Sequence, residues 1–156
     1  MLLFIPDEIT VMQKLALSII LFIFSITTFA QVGDADKILG EWLNEEKDGK
    51  IEIYKTGNSY FGKIIWGNNI FEDDSKTSKK DVKNPDDKLQ SRTLLNMVIL
   101  SDFQFNDGIW DNGKIYDPKS GKTYNCTIKL KDDKLEIRGY VGISLLGHST
   151  YWGRLE

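Results

Sequence analysis

Short runs of alternating apolar and polar residues, separated by turn-forming residues, constrain this chain more than any other feature. Residues 124–131 alternate without a break, and residues 134–141 repeat the pattern after a turn at Asp132-Asp133. Because the side chains of a strand point alternately to opposite faces, a period of two is typical of strands with one buried face. No long stretch has helical periodicity. The chain is therefore predicted to be an all-β protein.

Nine runs of this kind follow one another and are joined mainly by short turns. Counting nine depends on a hairpin at Asp111-Asn112-Gly113, since Asn-Gly favours tight two-residue turns. Antiparallel strands joined by hairpins can close on themselves, which removes the exposed edges of an open sheet. The sequence therefore predicts an eight- to nine-stranded antiparallel up-and-down barrel, with strands at residues 37–46, 50–55, 59–66, 97–105, 109–111, 114–117, 124–131, 134–141 and 148–155.

One long interruption, residues 67–92, separates the third strand from the fourth. Loops longer than about 12 to 15 residues are uncommon in compact domains and are usually functional or disordered. Residues 72–81 are so rich in charge that we expect a solvated, mobile segment there. Pro85 indicates an ordered turn further on. We expect Leu89, Leu94 and Leu95 either to seat a short helix or to cover a barrel mouth.

The N-terminus has the form of a secretory signal peptide. Residues 15–30 carry no charge, follow Lys14, and end in Thr28-Phe29-Ala30 with small residues at the two cleavage positions. This run is shorter than the ~20 residues of a comfortable membrane span; an uncleaved anchor is the alternative. We expect residues 1–30 to be an extension and signal peptide, with Met12 as the better start, and residues 31–156 to be one barrel domain. The protein is then exported, periplasmic or secreted, without a membrane span after cleavage.

Charge and cysteine content exclude several other interpretations. The net charge is −3 for the whole chain. Such a near-balanced surface gives no electrostatic reason to expect nucleic acid or an anionic membrane face as partner. Cys126 is the only cysteine, so the domain cannot contain an internal disulfide. Its stability must come from its core and its strand pairing.

A glycine and a tryptophan at Gly40-x-Trp42 are matched at the other end of the chain by Trp152-x-Arg154. This order resembles the structural signature of lipocalins and their relatives. In that signature the glycine lets the first strand bend, the indole fills one end of the barrel, and the guanidinium over the ring adds about 0.5 to 2 kcal/mol. The resemblance implies a lipocalin-like barrel in which Gly40, Trp42, Trp152 and Arg154 close one end.

A second resemblance covers nearly all of residues 31–156. It is carried by Trp42, Gly62-Lys63-Ile64, Asn84-Pro85-Asp86, Leu89, Arg92, Trp110-x-x-Gly113-x-Ile115-Tyr116-Asp117-Pro118, Gly121-Lys122-x-Tyr124, Arg138-Gly139-Tyr140-x-Gly142 and Leu146-Gly147. The series resembles the domain of unknown function 2147 family of exported bacterial proteins. The resemblance implies an envelope location and no particular reaction. His148 departs from the pattern, in which an arginine is expected after the Leu-Gly pair.

Arg138 has two possible orientations in its strand. Strict alternation places it on the outer face of the barrel. A bulge at Gly139 would turn Arg138 or Tyr140 inward. An inward arginine would need Asp86 or Asp117 as a partner, or would face the anionic head group of a ligand.

Nothing in the chain forms a recognisable catalytic or metal-binding set. His148 is the only histidine, and Ser149 beside it lies in no nucleophile motif such as Gly-x-Ser-x-Gly. One histidine and one cysteine do not supply the four ligands of a zinc site. The aspartates of the long loop lack the spacing of a calcium loop. The sequence therefore predicts a protein that is not an enzyme and has no metal or cofactor.

An eight-stranded barrel has an interior that can hold one small ligand. The main hypothesis is a carrier or binding protein for a small hydrophobic or amphipathic molecule, with Arg92 or Arg138 as polar anchor. Its expected lining is Tyr60, Trp66, Trp110, Tyr116, Tyr124 and Tyr140. Alternatively these aromatics only fill the core, and the protein is a ligand-free interaction or stress-related module of the cell envelope.

Overall fold

The computed structural model describes residues 33–155. The predicted signal peptide, the start at Met12 and the boundary at residue 30 lie outside the described residues. Backbone contacts divide the chain into one unit that ends at Asp36 and a second that begins at Lys37. The second unit contains every strand described below. No helix within residues 33–155 has the length and apolarity needed to span a bilayer.

Eight strands of the described residues form one closed antiparallel barrel in chain order. Each strand pairs with the next, and β1 also pairs with β8, so the sheet has no free edge. The predicted all-β, up-and-down barrel is confirmed, with eight strands. They are β1 Gly40–Leu43, β2 Gly49–Thr56, β3 Ser59–Gly67, β4 Val98–Asn106, β5 Ile109–Asp117, β6 Lys122–Lys131, β7 Lys134–Tyr140 and β8 His148–Arg154.

The hairpin predicted at Asp111-Asn112-Gly113 is wrong. β5 runs through these residues and pairs with β6 on both sides of them, with a register shift between Trp110 and Gly113. Asn112 has a φ of 57°, the left-handed conformation that Asn adopts more easily than most residues. The Asn-Gly pair therefore makes a β-bulge instead of a turn. Glycine is required here because a Cβ at Gly113 would overlap the ring of Phe103.

The first strand is shorter than the predicted residues 37–46. A 3-10 helix, Asp36–Ile38, precedes β1, and the turn after β1 begins at Asn44. The side-chain oxygen of Asn44 accepts hydrogen bonds from the backbone N–H groups of Asp48 and Gly49, both at 2.9 Å. The strand ladder of β1 ends at Leu43. Beyond it the Asn44 side chain caps the turn and folds the chain back toward β2.

The alternating direction of the strands gives the barrel two different ends. The closed end carries the 3-10 helix Asp36–Ile38 and the short turns after β2, β4 and β6. The open end carries the turn after β1, the β3–β4 loop (residues 68–97), the turn after β5 and the β7–β8 loop (residues 141–147). These two names are used below for the two ends of the barrel.

The half of the barrel at the closed end is filled by its own side chains. Trp42 and Ile38 are fully buried, and the indole N–H of Trp42 donates to the carbonyl of Ile38 at 2.9 Å. The guanidinium of Arg154 lies 4.2 Å from the centre of the Trp42 ring. Arg154 also donates to the backbone carbonyls of Lys37 and Leu39. Arg154 therefore fastens the segment that leads into β1 to the last strand, β8.

The β3–β4 loop is ordered by backbone pairing and by one buried carboxylate. Phe71 pairs with Ser78, and Lys80 pairs with Thr93, as isolated antiparallel bridges. The prediction of a solvated segment over residues 72–81 is wrong at Asp81, which is 1% exposed. The charged composition of residues 72–81 did not reveal the burial of Asp81, because Asp81 is the only charged residue of this segment that is buried. The expected short helix is present as a 3-10 turn, Asp87–Leu89.

Candidate functional site

A cavity of about 700 Å³ opens at the open end of the barrel. Its apolar wall consists of inward-facing side chains of β2, β3, β4, β5 and β8, namely Ile51, Ile64, Ile99, Ile115 and Trp152. Four of these five are less than a tenth exposed, Ile115 being the exception. Cavities of roughly 300 to 1,000 Å³ with mainly apolar walls are typical of small-molecule sites. The barrel is thus filled in one half and hollow in the other.

The turn between β1 and β2 forms one rim of the mouth. Asn44 donates from its side-chain nitrogen to a carboxylate oxygen of Asp48 at 2.6 Å. This hydrogen bond, followed by the attraction of the Lys119 ammonium at 3.5 Å, holds the pKa of Asp48 below its ordinary value. Asn44 and Lys119, which both lie at the mouth, therefore compensate the negative charge of Asp48.

Four lysines of the loops, Lys79, Lys80, Lys83 and Lys119, also line the mouth. Lys119 pairs with Asp48, and Lys83 donates to the backbone carbonyl of Lys119 at 2.7 Å. No carboxylate within residues 33–155 lies at ion-pair distance from the ammonium groups of Lys79, Lys80 or Lys83. Glu46 and Asp117 also line the cavity without an ion-pair partner in this range, so the unpaired positive charges at the mouth exceed the unpaired negative charges by one.

Two of the six aromatic residues predicted to line the barrel, Trp66 and Tyr116, line this cavity. Trp66 lies at the end of β3 and is 37% exposed, with the Lys50 ammonium 5.5 Å from the ring centre. Tyr116 lies near the end of β5, where the strand reaches the open end. Both residues are at the rim, where an aromatic side chain contacts cavity and solvent at once.

Tyr60 and Trp110 point inward as predicted but lie in the filled half. Each is 2% exposed, and their rings meet edge to face with centres 6.5 Å apart. Placing them in the lining is wrong because alternation predicts which face a residue occupies and not how far along the barrel it lies. Tyr124 is likewise absent from the lining.

Arg92 binds a buried carboxylate and does not line the cavity, which corrects its prediction as a ligand anchor. Its guanidinium contacts one oxygen of Asp81 at 2.8 and 2.9 Å, and the Asn84 amide donates to that same oxygen at 2.8 Å. The Tyr116 hydroxyl donates to the other oxygen at 2.6 Å. The guanidinium also lies 5.2 Å from the centre of the Tyr116 ring. This cluster of four residues fastens the β3–β4 loop to β5.

Burial is the main cause that raises the pKa of Tyr116, and the hydrogen bond to the Asp81 carboxylate adds to it. A neutral phenol can donate to the carboxylate, whereas a phenolate would repel it. The cluster therefore holds the Tyr116 proton in place. Asp81 is the key residue of this region, and sequence reasoning did not single it out.

A second contact, at Gly121, holds the same loop. Gly121 has a φ of 73°, and a Cβ there would overlap the carbonyl oxygen of Lys83. The turn from Asp117 to Gly121 is closed by a hydrogen bond from the Gly121 N–H to the Asp117 carbonyl at 2.8 Å. The β3–β4 loop thus lies directly on the β5–β6 turn at the open end.

Arg138 and Tyr140 lie on the outer face of the barrel, so neither is in the cavity lining. The pairing of β6 with β7 continues through Gly139 without a register shift, which excludes the bulge that would turn them inward. Arg138 donates to the carbonyls of Ser144 and Leu145 and to the hydroxyl of Ser149. The orientation given by strict alternation is therefore the observed one.

Trp152 belongs to the cavity wall as well as to the closure of the barrel. It is 5% exposed and pairs with Leu135 of β7. Trp42 and Arg154, by contrast, are in register with each other across the β1–β8 seam. Of the four predicted closure residues, Trp152 alone borders the cavity.

His148 and Ser149 lie on opposite faces of β8. His148 lies at the cavity mouth, but the hydroxyl of Ser149 faces Arg138 and Glu136 on the outer face. Residues 33–155 contain no group of three or more His, Cys, Asp or Glu side chains that could hold a metal ion. Burial raises the pKa of the Cys126 thiol to about 12, so this cysteine is not a nucleophile at neutral pH.

The β7–β8 loop presents its apolar side chains to solvent. Val141, Ile143, Leu145 and Leu146 are between 61% and 82% exposed. A 3-10 helix, Ser144–Leu146, gives the loop a defined conformation. Such a cluster of exposed aliphatic residues is unusual on the surface of a monomeric globular protein.

The wall isoleucines and the mouth lysines were missed by sequence reasoning. Ile51, Ile64 and Ile99 were indistinguishable from ordinary core residues because nothing in their strands shows that the space between them is empty. The signal that could have found them is position: each lies in the part of its strand nearest the loops of the open end.

Comparisons with known proteins agree with this architecture. A family model described as "Uncharacterized protein conserved in bacteria (DUF2147)" matches residues 40–154. A solved structure described as "Protein HP1028 from the human pathogen Helicobacter pylori belongs to the lipocalin family" superposes with a TM-score of 0.67 at 25% sequence identity. The match covers 76% of this chain and 83% of the Helicobacter pylori protein. None of the curated proteins matches this chain.

Proposed function

The chain belongs to the DUF2147 family of uncharacterized bacterial proteins, and from its lipocalin-like barrel we propose that it binds a small amphipathic molecule. The apolar part of the ligand occupies the cavity at the open end, and the polar part stays at the mouth. The observation that carries this proposal is an apolar cavity of about 700 Å³ that opens between loops. Binding, and not catalysis, is the activity that such a cavity supports.

The apolar wall favours a hydrocarbon chain or ring system as the buried part. Each methylene group moved from water into the cavity contributes about 0.8 kcal/mol. Association itself costs several kcal/mol in lost freedom of motion. A chain of about eight to twelve methylene groups is therefore needed for useful affinity.

The charge at the mouth favours an anionic polar group. Lys79, Lys80 and Lys83 lack carboxylate partners in the described part of the chain, and their ammonium groups surround the entrance. An anion there gains attraction without first breaking an ion pair, although solvent weakens each contact. We therefore propose Lys79, Lys80 and Lys83 as the polar anchors in place of Arg92 and Arg138.

A cavity-filling substitution tests the binding site. Ile99→Trp should occupy the cavity, and displacement of the fluorescent probe 1-anilinonaphthalene-8-sulfonate by dodecanoate should then be lost. Val98→Trp is the matched control, because Val98 is 39% exposed and does not line the cavity. Equal binding by the wild-type protein and a folded Ile99→Trp variant would place the ligand elsewhere.

Charge reversal in the ligand tests the polar anchors separately. Dodecanoate should bind more tightly than dodecyltrimethylammonium, by about tenfold for contacts of this exposed kind. Lys79→Gln with Lys80→Gln should reduce the difference, whereas Lys134→Gln at the closed end should not. Equal binding of both amphiphiles to the wild-type protein would contradict the preference for an anionic head group. It would not affect the assignment of the cavity as the binding site.

For the location, we propose export to the periplasm or beyond, on the basis of the uncharged run at residues 15–30. Mass spectrometry of the protein from its native source should find an N-terminus at Gln31. A mature chain that retains residues 15–30 in a membrane fraction would instead support an uncleaved anchor.

A further inference from the structure

The open end of the barrel carries nearly all of the exposed apolar surface of the described residues. Nine large apolar side chains are exposed within residues 33–155, and eight of them belong to strand ends or loops at the open end. The ninth, Tyr151, lies within β8 and is 47% exposed. If these side chains were exposed only because the core of the barrel reaches the surface at its ends, they would be found at both ends.

The most exposed of these residues lie in the β7–β8 loop. From Val141 to Gly147 the loop contains no charged residue and only one polar side chain, that of Ser144. Its aliphatic side chains point into solvent, with Leu145 82% and Leu146 79% exposed. We propose that this loop inserts into the surface of a phospholipid bilayer and docks the open end of the barrel there.

Five backbone polar groups of the loop have hydrogen-bond partners within the protein. The carbonyls of Ser144 and Leu145 accept hydrogen bonds from Arg138. The N–H groups of Leu146 and Gly147 donate to the carbonyls of Ile143 and Ser144. Polar backbone groups that enter the bilayer must be satisfied internally, because hydrocarbon offers no partners. Arg138 therefore has a role on the outer face: it satisfies and positions the docking loop.

The residue types of the loop favour lipid over a protein partner. Protein interfaces concentrate their binding energy in Trp, Tyr and Arg side chains that fill pockets. The loop has only Val, Ile and Leu as its large exposed side chains, which suit disordered acyl chains. A second copy of this chain remains the competing occupant, and the experiment below separates the two.

Charge complementarity supports the same occupant. His148, which follows the loop, lines the same cavity mouth as Lys79, Lys80 and Lys83. We expect Lys79, Lys80 and Lys83 to meet the lipid phosphates when the apolar loop enters the acyl boundary, and Glu46 and Asp117 on the same lining offset part of this charge. The charge acts locally, since the chain as a whole carries a net charge of −3.

Vesicle flotation tests the docking loop. The full mature protein should float with vesicles of phosphatidylcholine that contain phosphatidylglycerol as the minor lipid, and float less with phosphatidylcholine alone. Leu145→Ser with Leu146→Ser should lower the partition coefficient at least about tenfold, because two exposed leucines no longer enter the acyl region. Tyr151→Ser is the matched control, since it removes an exposed apolar side chain away from the open end, and it should leave flotation unchanged.

Several results would overturn the proposal. Absence of flotation, or flotation that Leu145→Ser with Leu146→Ser leaves intact, excludes insertion of this loop. Equal flotation with and without phosphatidylglycerol excludes the role of the lysines. A wild-type dimer in analytical ultracentrifugation that the same two substitutions convert to a monomer shows that a second copy covers the loop. None of these outcomes depends on a ligand in the cavity, so docking and ligand binding can fail independently.

Discussion

At the scale of single residues, Trp42 and Arg154 show how two side chains at opposite ends of the chain close the barrel. Trp42 is fully buried, and its indole N–H has a backbone acceptor. Arg154 covers the ring and binds two carbonyls of the segment that leads into β1. Both roles are structural, because neither residue borders the cavity.

Truncation of Trp42 should be the most costly tryptophan substitution. Trp42→Ala should lower the free energy of unfolding by about 3 to 5 kcal/mol, as expected for a buried aromatic that leaves a void. Trp66→Ala is the control, since Trp66 is 37% exposed at the cavity mouth and should cost clearly less. Urea titration followed by circular dichroism measures both. Equal losses for the two variants would contradict the role of Trp42 as the barrel plug.

At the scale of elements, the β3–β4 loop depends on the cluster around Asp81. Arg92, Asn84 and Tyr116 all donate to this one carboxylate. A buried carboxylate of this kind is tolerated only when its hydrogen-bonding capacity is satisfied. The loop therefore has a point of attachment whose strength depends on protonation.

High pH should weaken this attachment through Tyr116. Its pKa is raised in the folded protein, so the neutral phenol contributes stability that is complete below about pH 10, the ordinary tyrosine value. That contribution is lost as the pH rises from there through the folded pKa. Tyr116→Phe should cost about 1.5 to 3 kcal/mol at pH 8, the usual range for a hydrogen bond to a charged group.

The difference in unfolding free energy between wild type and Tyr116→Phe should shrink between about pH 8 and pH 11. Comparing the two proteins cancels the titration of other groups. Urea titrations at both pH values provide the measurement. A difference that stays constant over this range would mean that Tyr116 does not lose its proton-dependent bond to Asp81.

At the scale of the whole molecule, the seam between β1 and β8 is the shortest pairing of the closed barrel. It has two register pairs, Trp42 with Arg154 and Leu43 with Gly153, whereas β5 and β6 have seven. Beyond Leu43 the carboxylate of Glu45 continues the seam. It accepts hydrogen bonds from the Thr150 hydroxyl at 2.9 Å and the Tyr151 N–H at 3.1 Å.

Hydrogen exchange should therefore open the barrel first at this seam. Amides of β1 and β8 should exchange before those of β5 and β6, since short ladders open at low free energy. Glu45→Ala should accelerate exchange of the Tyr151 amide, because its acceptor is removed. Glu46→Ala is the control, as Glu46 contacts Asn44 in the adjacent turn. Exchange of Tyr151 that is unaffected by Glu45→Ala would show that the carboxylate does not hold the seam.

Much of the barrel was predictable because strand alternation is a local property. Residues of β6 and β7 show their inner and outer faces by period two, and the order of short turns predicts antiparallel neighbours. The exception at Asn112-Gly113 shows the limit, because the same dipeptide serves a hairpin or a bulge. The ring of Phe103 on the neighbouring strand leaves room only for glycine at position 113, and this contact between strands is not visible in the local sequence.

The candidate site was predictable only in part. Trp66 and Tyr116 lie in the cavity lining, while Tyr60 and Trp110 are buried in the other half of the barrel. Distance along the barrel axis depends on the register of all eight strands together, which no single strand reveals. The direction of Arg138 did follow from alternation, but its acceptors in the β7–β8 loop did not.

The sequence by itself determined an all-β, up-and-down barrel, because the period of two along each strand is a local property. The fastening of the closed end by Trp42 and Arg154 followed from the resemblance to lipocalins, and the sequence left two orientations open for Arg138. Only the tertiary structure decided that one half of the barrel is hollow, that Asp81 is buried, and that the apolar loop stands free at the open end. Empty space, burial and exposure are properties of how distant segments pack together, so they have no signature in any one stretch of the chain.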